Sequence, residues 1–282
     1  MTASAGIRSR RALSRLSLYL ALCLGAVFCL LPFAWQLRSS IMTMSEIFSY
    51  PPKLLPSDPQ WKNYPEVFQI IPFGRYYLNT AILVAWNAAG VLLSNISIAF
   101  ALTRVRFRGR NLLFALSVGT LMIPSTVTMI PTFIEWSWIG GLNSFLPLIV
   151  PSFFGNAFFI FMLVQFFRTI PFDYDEAALI DGASYPRIMI RVIVPMARPI
   201  IAVMVIFTFL NTWNDFMGPL LYLNDSKLFT LALGLKSLLS SYNSYWHILM
   251  AAATLVILPL VIVFFIGQKS FIAGLAMGGI KG

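Results

Sequence analysis

Two polar clusters in this chain carry residue types able to do chemistry, and both sit between strongly apolar runs. The first spans residues 168–199, RTIPFDYDEAALIDGASYPRIMIRVIVPMARP, and sets Asp173, Asp175, Glu176 and Asp181 among Arg168, Arg187, Arg191 and Arg198. Charges of both signs on a folded loop suit docking, a protrusion that another protein grips and moves. The second is Asn211-Thr212-Trp213-Asn214-Asp215, where Asn211, Asn214 and Asp215 fall at i, i+3 and i+4 and so share one helical face. An acid inside an apolar stretch is a functional candidate; a helix-pairing hydrogen bond or a water-lined vestibule explains it equally well. Asn79, Asn87 and Asn95 add a third pattern, recurring every eight residues, close to two helical turns. Amides facing lipid are costly, so this stripe either pairs helices or lines a path.

Catalytic chemistry is poorly supplied. No G-x-x-x-x-G-K-[ST] loop occurs, so the chain lacks the phosphate cradle of an ATPase. His247 is the single histidine, which excludes an H-E-x-x-H zinc site. Acids within apolar runs are nearly absent, which argues against a proton relay. Cys23 and Cys29 lie six apart within one apolar run and share no helix face well, so neither a metal site nor a disulfide is expected. Sites for catalysis, cofactors and metals are therefore expected to be absent.

Composition supplies the setting. Hydrophobic residues make up 59% of the 282 and charged residues 11%, against about 25% charged in soluble domains. This is the composition of an integral membrane protein. The net charge of +10 is dispersed over loops and termini, without the basic face that nucleic acid requires.

The elements that must position the clusters follow from hydropathy and turn chemistry. In the first cluster, Pro171 stops the preceding span. Asp173 is expected as an N-cap, with Glu176 completing a capping box and Asp175 and Glu176 in the first turn. Gly182 suits the left-handed C′ position. Ser184 and Pro186 read as the cap and first turn of a second helix, which ends or kinks before Pro195. The expected fold is all-α, with six membrane spans. A disordered cytoplasmic tail (1–15) leads to span 1 (16–37) and an extracytoplasmic loop (38–78). A five-helix core (79–269) follows, with span 2 at 79–103, span 3 at 111–136 kinked or broken by Pro124 and Pro131, and span 4 at 144–167. The polar loop occupies 168–198, span 5 is 199–222, span 6 is 246–268, and a flexible Gly-rich tail (270–282) ends the chain. Span 1 reads as retained, because Leu22 and Phe28 precede the cysteines and no A-x-A site follows.

Loop charge orients this arrangement. The N-terminus, residues 104–110 (RVRFRGR), the polar loop and the end of the chain from Lys269 onward hold fourteen of the twenty Lys and Arg. The opposite side holds six, Arg38, Lys53, Lys62, Arg75, Lys227 and Lys236. That bias puts both termini and the polar loop in the cytoplasm.

Glu176-Ala177-Ala178, three residues, Gly182, nine residues, then Val192-Ile193-Val194-Pro195 resembles the E-A-A-x3-G-x9-I-x-L-P signature. That signature marks the permeases of binding-protein-dependent ABC importers (the MetI-like family), with Val192 and Val194 in place of Ile and Leu. WKNYPEVF (61–68), FGRYYLNT (73–80), NTWNDF (211–216) and the GGIKG end resemble the carbohydrate-uptake branch, in particular the maltose-type second permease subunit. The resemblance covers about residues 16–282. It implies a sugar importer subunit of the prokaryotic cytoplasmic membrane, working with a second permease, two ATP-binding cassette subunits carrying ATP and Mg, and an extracytoplasmic solute-binding protein. It implies ATPase coupling through Asp173, Glu176, Ala177, Ala178, Asp181, Gly182 and Pro195, and a tail that reaches the ATPase pair. Asn87, Asn95, Asn211, Asn214 and Asp215 are candidate pathway or gate residues. The same machine serving a sugar phosphate or a peptide is one alternative. A secondary transporter, or a structural membrane subunit, is another.

Overall fold

A computed structural model describes the backbone of residues 2–239 and 245–279 and the side chains of residues 15–239 and 245–268. The fold is all-α and divides into two units, residues 1–70 with 238–255 and residues 71–237 with 256–282. Among the described residues, four helices are long and apolar enough to cross a membrane, Arg15–Ser40, Phe73–Arg104, Leu146–Thr169 and Trp246–Gln268. Two bent pairs bring the spans to six if each pair counts as one.

In the first unit, α1 (Thr2–Ser40) is helical from its second residue, where a disordered tail was expected. Its apolar side chains from Leu16 onward are exposed, as a lipid-facing helix requires. The chain after it is held tightly for a loop. Thr43 caps the short α2 (Met44–Ile47) in a capping box with Glu46. Glu46 Oε1 accepts the Ser57 amide at 3.0 Å and stands 3.4 Å from Lys53 Nζ. At the start of α3 (Asn63–Ile70), the buried Asn63 amide donates to the Ser40 and Met42 carbonyls at 2.9 and 3.1 Å. These bonds tie Met42 and Val67 into a fully buried position.

The second unit is built on α4 (Phe73–Arg104), which begins six residues before the expected span because Phe73 and Tyr76 are themselves buried. After it, α5 (Arg110–Gly119) and α6 (Ser125–Trp138) replace the single span expected at 111–136. They meet at 100°. Pro124 forces the residue before it out of the helical region, and Ile123 lies extended at φ −86°, ψ 114°. The next span is also interrupted: α7 (Leu146–Ile149), a 3-10 turn over Val150–Phe154, and Gly155 at φ +90° precede α8 (Ala157–Thr169). The polar loop forms α9 (Asp173–Ile180), α10 (Tyr185–Ile188), a π turn over Met189–Ile193 and α11 (Val194–Met196).

Pro195 has no N–H for the turn below it. The chain accommodates this with the wide π turn, and the 83° bend to α12 (Arg198–Trp213) falls at Ala197, after Pro195 and not before it. The span expected to run to residue 222 stops at Trp213, and α13 (Met217–Tyr222) is separate. A short α14 (Leu231–Ser237) precedes α15 (Trp246–Gly279), whose backbone is helical through much of the tail expected to be flexible. Residues 280–282 lie outside the described residues.

One apolar core joins α4, α8, the polar loop and α12. Phe167, Leu163, Ile193 and Met204 are fully buried in it, with Phe100 and Ile188. The polar loop is therefore attached to the bundle by its own apolar side chains.

Candidate functional site

The polar loop is a rigid, two-sided joint. Its helix α9 closes with both bonds of a Schellman motif: the Ala183 amide donates to the Ala178 carbonyl at 2.9 Å and the Gly182 amide to Leu179 at 3.0 Å. Gly182 takes φ +76°, as that motif requires, in open space. The start of α9 differs from expectation. Phe172, with φ −68° and ψ −19°, takes the cap position and no side chain caps the helix. Its carbonyl accepts the Asp175 and Glu176 amides, which places Asp173, Asp175 and Glu176 in the first turn. The capping box expected between Asp173 and Glu176 does not form, because the helix starts one residue too early for Asp173 to stand outside it. Acids there still meet the positive end of the helix dipole.

The outward side carries Asp173, Glu176, Ala177, Asp181 and Gly182, all exposed, together with Phe172, Tyr174, Leu179 and Ile180. Ile180 is 87% exposed, a large apolar residue offered to whatever docks. Ala178 turns inward and packs against the core, and Pro195 is half-buried.

Asp175, which reads from sequence only as a first-turn charge, is buried at 7% exposure. It faces Arg104 at the end of α4, with Nη1 3.2 Å from Oδ2. The charges are close, but no N–H is aimed along a hydrogen bond, and neither carboxylate oxygen accepts one among the described residues. Arg104 Nη2 donates to the Phe167 and Ile170 carbonyls at 3.0 and 2.8 Å, where α8 ends. Its guanidinium also lies 4.3 Å from the centre of the Phe172 ring. Burial raises the Asp175 carboxyl above its ordinary range, and the Arg104 charge pulls it part of the way back. One side chain thus ties together the ends of α4 and α8 and the first turn of α9. Sequence reasoning counted Arg104 only as one of four loop arginines. The available signal was its place four residues after Phe100 on the buried face of α4, whereas Arg106 and Arg108 are exposed.

The second cluster opens onto a cavity of about 550 Å³ within the second unit. Asn87 of α4, Ser152 and Asn156 of the interrupted span, Thr208, Asn211 and Thr212 of α12, and Asp215 supply its polar lining. Leu83, Val91, Pro151 and Phe159 are among its apolar walls. Close backbone approach shapes it. A Cβ on Gly90 would stand 2.2 Å from Ser152 Oγ, and the Ser94 hydroxyl donates to the Ser152 carbonyl at 2.9 Å.

The structure separates the candidate pathway residues. Asn87, Asn211 and Asp215 line the cavity. Asn95 does not. It is fully buried, accepts the Asn156 amide at 2.7 Å and donates to the Val91 carbonyl at 2.7 Å. In that position it holds the start of α8, where Asn156 Oδ1 caps the Phe158 and Phe159 amides. Asn79 is likewise committed, donating to the Lys227 and Phe229 carbonyls. Asn214 is exposed and donates to the Leu210 carbonyl at 2.8 Å. The expected shared helix face of Asn211, Asn214 and Asp215 is not present. Asn214 ends α12, and Asp215 Oδ1 accepts the Gly218 amide at 3.1 Å to begin α13. These short polar side chains bond the backbone locally and so break the helix.

Residues 95–276 match the family described as binding-protein-dependent transport system inner membrane component. The arabinooligosaccharides transport system permease protein AraQ of Bacillus subtilis is 32% identical over 258 residues, covering 91% of this chain and 90% of the relative. The sn-glycerol-3-phosphate transport system permease protein UgpE of Pectobacterium atrosepticum is 31% identical over 277 residues, covering 95% and 98%. Among solved structures, a chain of a bacterial ABC transporter involved in the import of the acidic polysaccharide alginate superposes with a TM-score of 0.81. It is 25% identical, with 93% of this chain and 97% of that chain covered.

Proposed function

The chain belongs to the family of binding-protein-dependent transport system inner membrane components, and from that premise we propose that it is the permease subunit of a sugar importer, driven through its polar loop. It is a multi-pass membrane transport subunit of an ABC importer and not an enzyme. ATP and Mg belong to a partner ATPase pair, one subunit of which seats α9 in a cleft by its exposed side. Glu176 offers charge there, Phe172, Leu179 and Ile180 offer apolar contact, and Ala177 permits close approach. A second permease completes the translocation path, and a solute-binding protein delivers solute from outside. The basic residues of the N-terminus, residues 104–110 and the polar loop support placing these in the cytoplasm.

The observation that carries the reading is a mechanical one. Helix α4 has Arg104 at one end, in the joint with α9, and Asn87 seventeen residues away in the cavity. At 1.5 Å per residue that is about 26 Å of continuous helix. Force on α9 therefore reaches the cavity through one rigid element, and the bend at Ala197 offers a second route through α12. AraQ, of the arabinooligosaccharide system, and UgpE, of the sn-glycerol-3-phosphate system, align over similar shares of both chains, and a saccharide is preferred because the cavity lining described holds no Lys or Arg to meet a phosphate.

Co-purification with partner subunits, followed by binding-protein-stimulated ATPase and uptake measurements, tests this. Glu176→Lys and Gly182→Val should each abolish stimulation and uptake together. Full stimulation in both variants, or no ATPase in the purified complex, sinks the reading.

A further inference from the structure

We infer that the cavity beside Asn87 and Asn211 is a solute-contacting surface of this chain, built for an uncharged, hydroxyl-rich solute and set against anions by Asp215. The inference rests on the reading of the chain as an importer permease.

Hydrogen bonding is the first support. Among the described residues, the side chains of Asn87, Asn211 and Thr212 have no hydrogen-bond partner, although all three line the cavity. Asn79, Asn95 and Asn214 are each spent on backbone carbonyls, and Asn156 on capping α8. In a membrane bundle an unspent amide is costly unless water or solute meets it. Each amide offers both a donor and an acceptor, and a sugar hydroxyl needs both. Phe159 and the aliphatic walls give the apolar surface against which a sugar ring packs. About 550 Å³ lies inside the range of small-molecule sites.

Charge is the second support. Among the described residues, Asp215 is the one ionisable residue in the lining, and no Lys, Arg or His joins it. A phosphate or carboxylate solute wants an arginine or lysine partner, and here it would meet a carboxylate in a site with low-dielectric walls. Specificity of this kind comes from the repulsive group as much as from the attractive ones. Asp215 also caps α13 through the Gly218 amide. Asn caps as well as Asp does, so Asp215→Asn removes the charge and keeps the cap.

The test uses the complete transporter in proteoliposomes, with Cys23 and Cys29 changed to serine and Asn211→Cys as the probe. Labelling of this chain is followed by mass spectrometry with cationic, neutral and anionic methanethiosulfonates. The cationic reagent should react faster than the anionic one by about tenfold beyond the ratio for a free thiol, because a cleft of one sign concentrates counter-ions. Asp215→Asn should return the ratio to that of a free thiol, and Asp215→Glu should keep it high. Sucrose should slow labelling by the neutral reagent while glucose 6-phosphate should not, and in Asp215→Asn both should slow it. An unreactive cysteine, a ratio indifferent to Asp215→Asn, or equal protection by the two sugars in the presence of Asp215 overturns the inference. None of these readouts uses ATP. Loss of binding-protein-stimulated ATPase with the labelling pattern intact therefore overturns the permease assignment and leaves the cavity chemistry standing.

Discussion

Arg104, the last residue of α4, and Asp175, in the first turn of α9, form a buried ion pair at 3.2 Å across seventy-one positions of sequence. The pair is under-satisfied by hydrogen bonds on both sides: among the described residues neither Asp175 oxygen accepts one and Arg104 Nε and Nη1 donate none, while Arg104 Nη2 bonds two carbonyls and the Phe172 ring lies against the guanidinium. Burying two charges carries a desolvation cost that their attraction repays only in part. The arrangement therefore reads as a device for position and not for stability.

Removing Arg104 should uncouple the joint. Arg104→Ala leaves a buried carboxylate and two carbonyls without partners, at a cost of about 3 kcal/mol. Arg104→Lys keeps the charge but lacks the planar fork that reaches both carbonyls and Asp175. Both variants should lower the solute transported per ATP hydrolysed, and Arg104→Ala should also lower the melting temperature in detergent. A double substitution of Arg104 and Asp175 by apolar residues should recover the melting temperature and not the coupling.

Gly182→Val should disturb the same joint locally. A β-branched residue at φ +76° costs about 1–2 kcal/mol, while the open space around Gly182 means that no core contact is lost. Binding of the ATPase should therefore weaken, while the melting temperature of the isolated permease falls by only a few degrees.

The asparagines should divide by role. Asn95→Leu removes the buried acceptor of the Asn156 amide, at about 1–3 kcal/mol, and should lower thermal stability. Asn87→Ala removes an unpartnered amide and should leave stability within about 0.5 kcal/mol while reducing uptake. Equal melting shifts in the two variants would contradict the division.

Gly90→Val should close the approach between α4 and the Val150–Phe154 turn. Its Cβ would stand 2.2 Å from Ser152 Oγ and 2.8 Å from the Phe153 ring. Overpacking of this kind costs about 1–3 kcal/mol. Uptake should fall even where the complex still assembles, as measured by transport in proteoliposomes against co-purification of the subunits.

Acid should loosen the segment between α1 and α3. Glu46 is held to about 2, first by the Ser57 amide and hydroxyl, against an ordinary value of 4.5. A lowered carboxyl stabilises the fold above its unfolded value, and that contribution fades as pH falls from about 4.5 towards 2. Hydrogen exchange at residues 43–57, corrected for intrinsic rates, should rise across that window. Glu46→Gln should exchange faster at neutral pH and show little further rise in acid.

Much of this architecture is legible in the sequence. Long apolar runs, with the charge bias of the loops, specify helices that cross a bilayer, because only hydrogen-bonded helices satisfy the backbone there. Gly182 signalled the left-handed turn, since its type and spacing act locally. Helix ends were harder to place. Asn214 and Asp215 read as a helix face yet end one helix and begin another, and Asp173 reads as a cap yet lies inside α9. Local hydrogen-bond competition decides such ends, and residue type allows either outcome.

The sequence by itself determined what kind of molecule this is: a multi-span helical membrane protein with a folded polar loop of E-A-A spacing and no ATP-binding motif. Those properties depend on composition and short-range order, which the chain carries in one dimension. Only the tertiary structure decided which polar residues are spent on holding the fold and which remain free. Asn87 and Asn95 stand eight residues apart on one helix, yet one faces a cavity and the other is buried against Asn156. Arg104 and Arg106 stand two apart, yet only Arg104 meets Asp175. A side chain's partners are set by the helix packed against it, and that neighbour is distant in sequence.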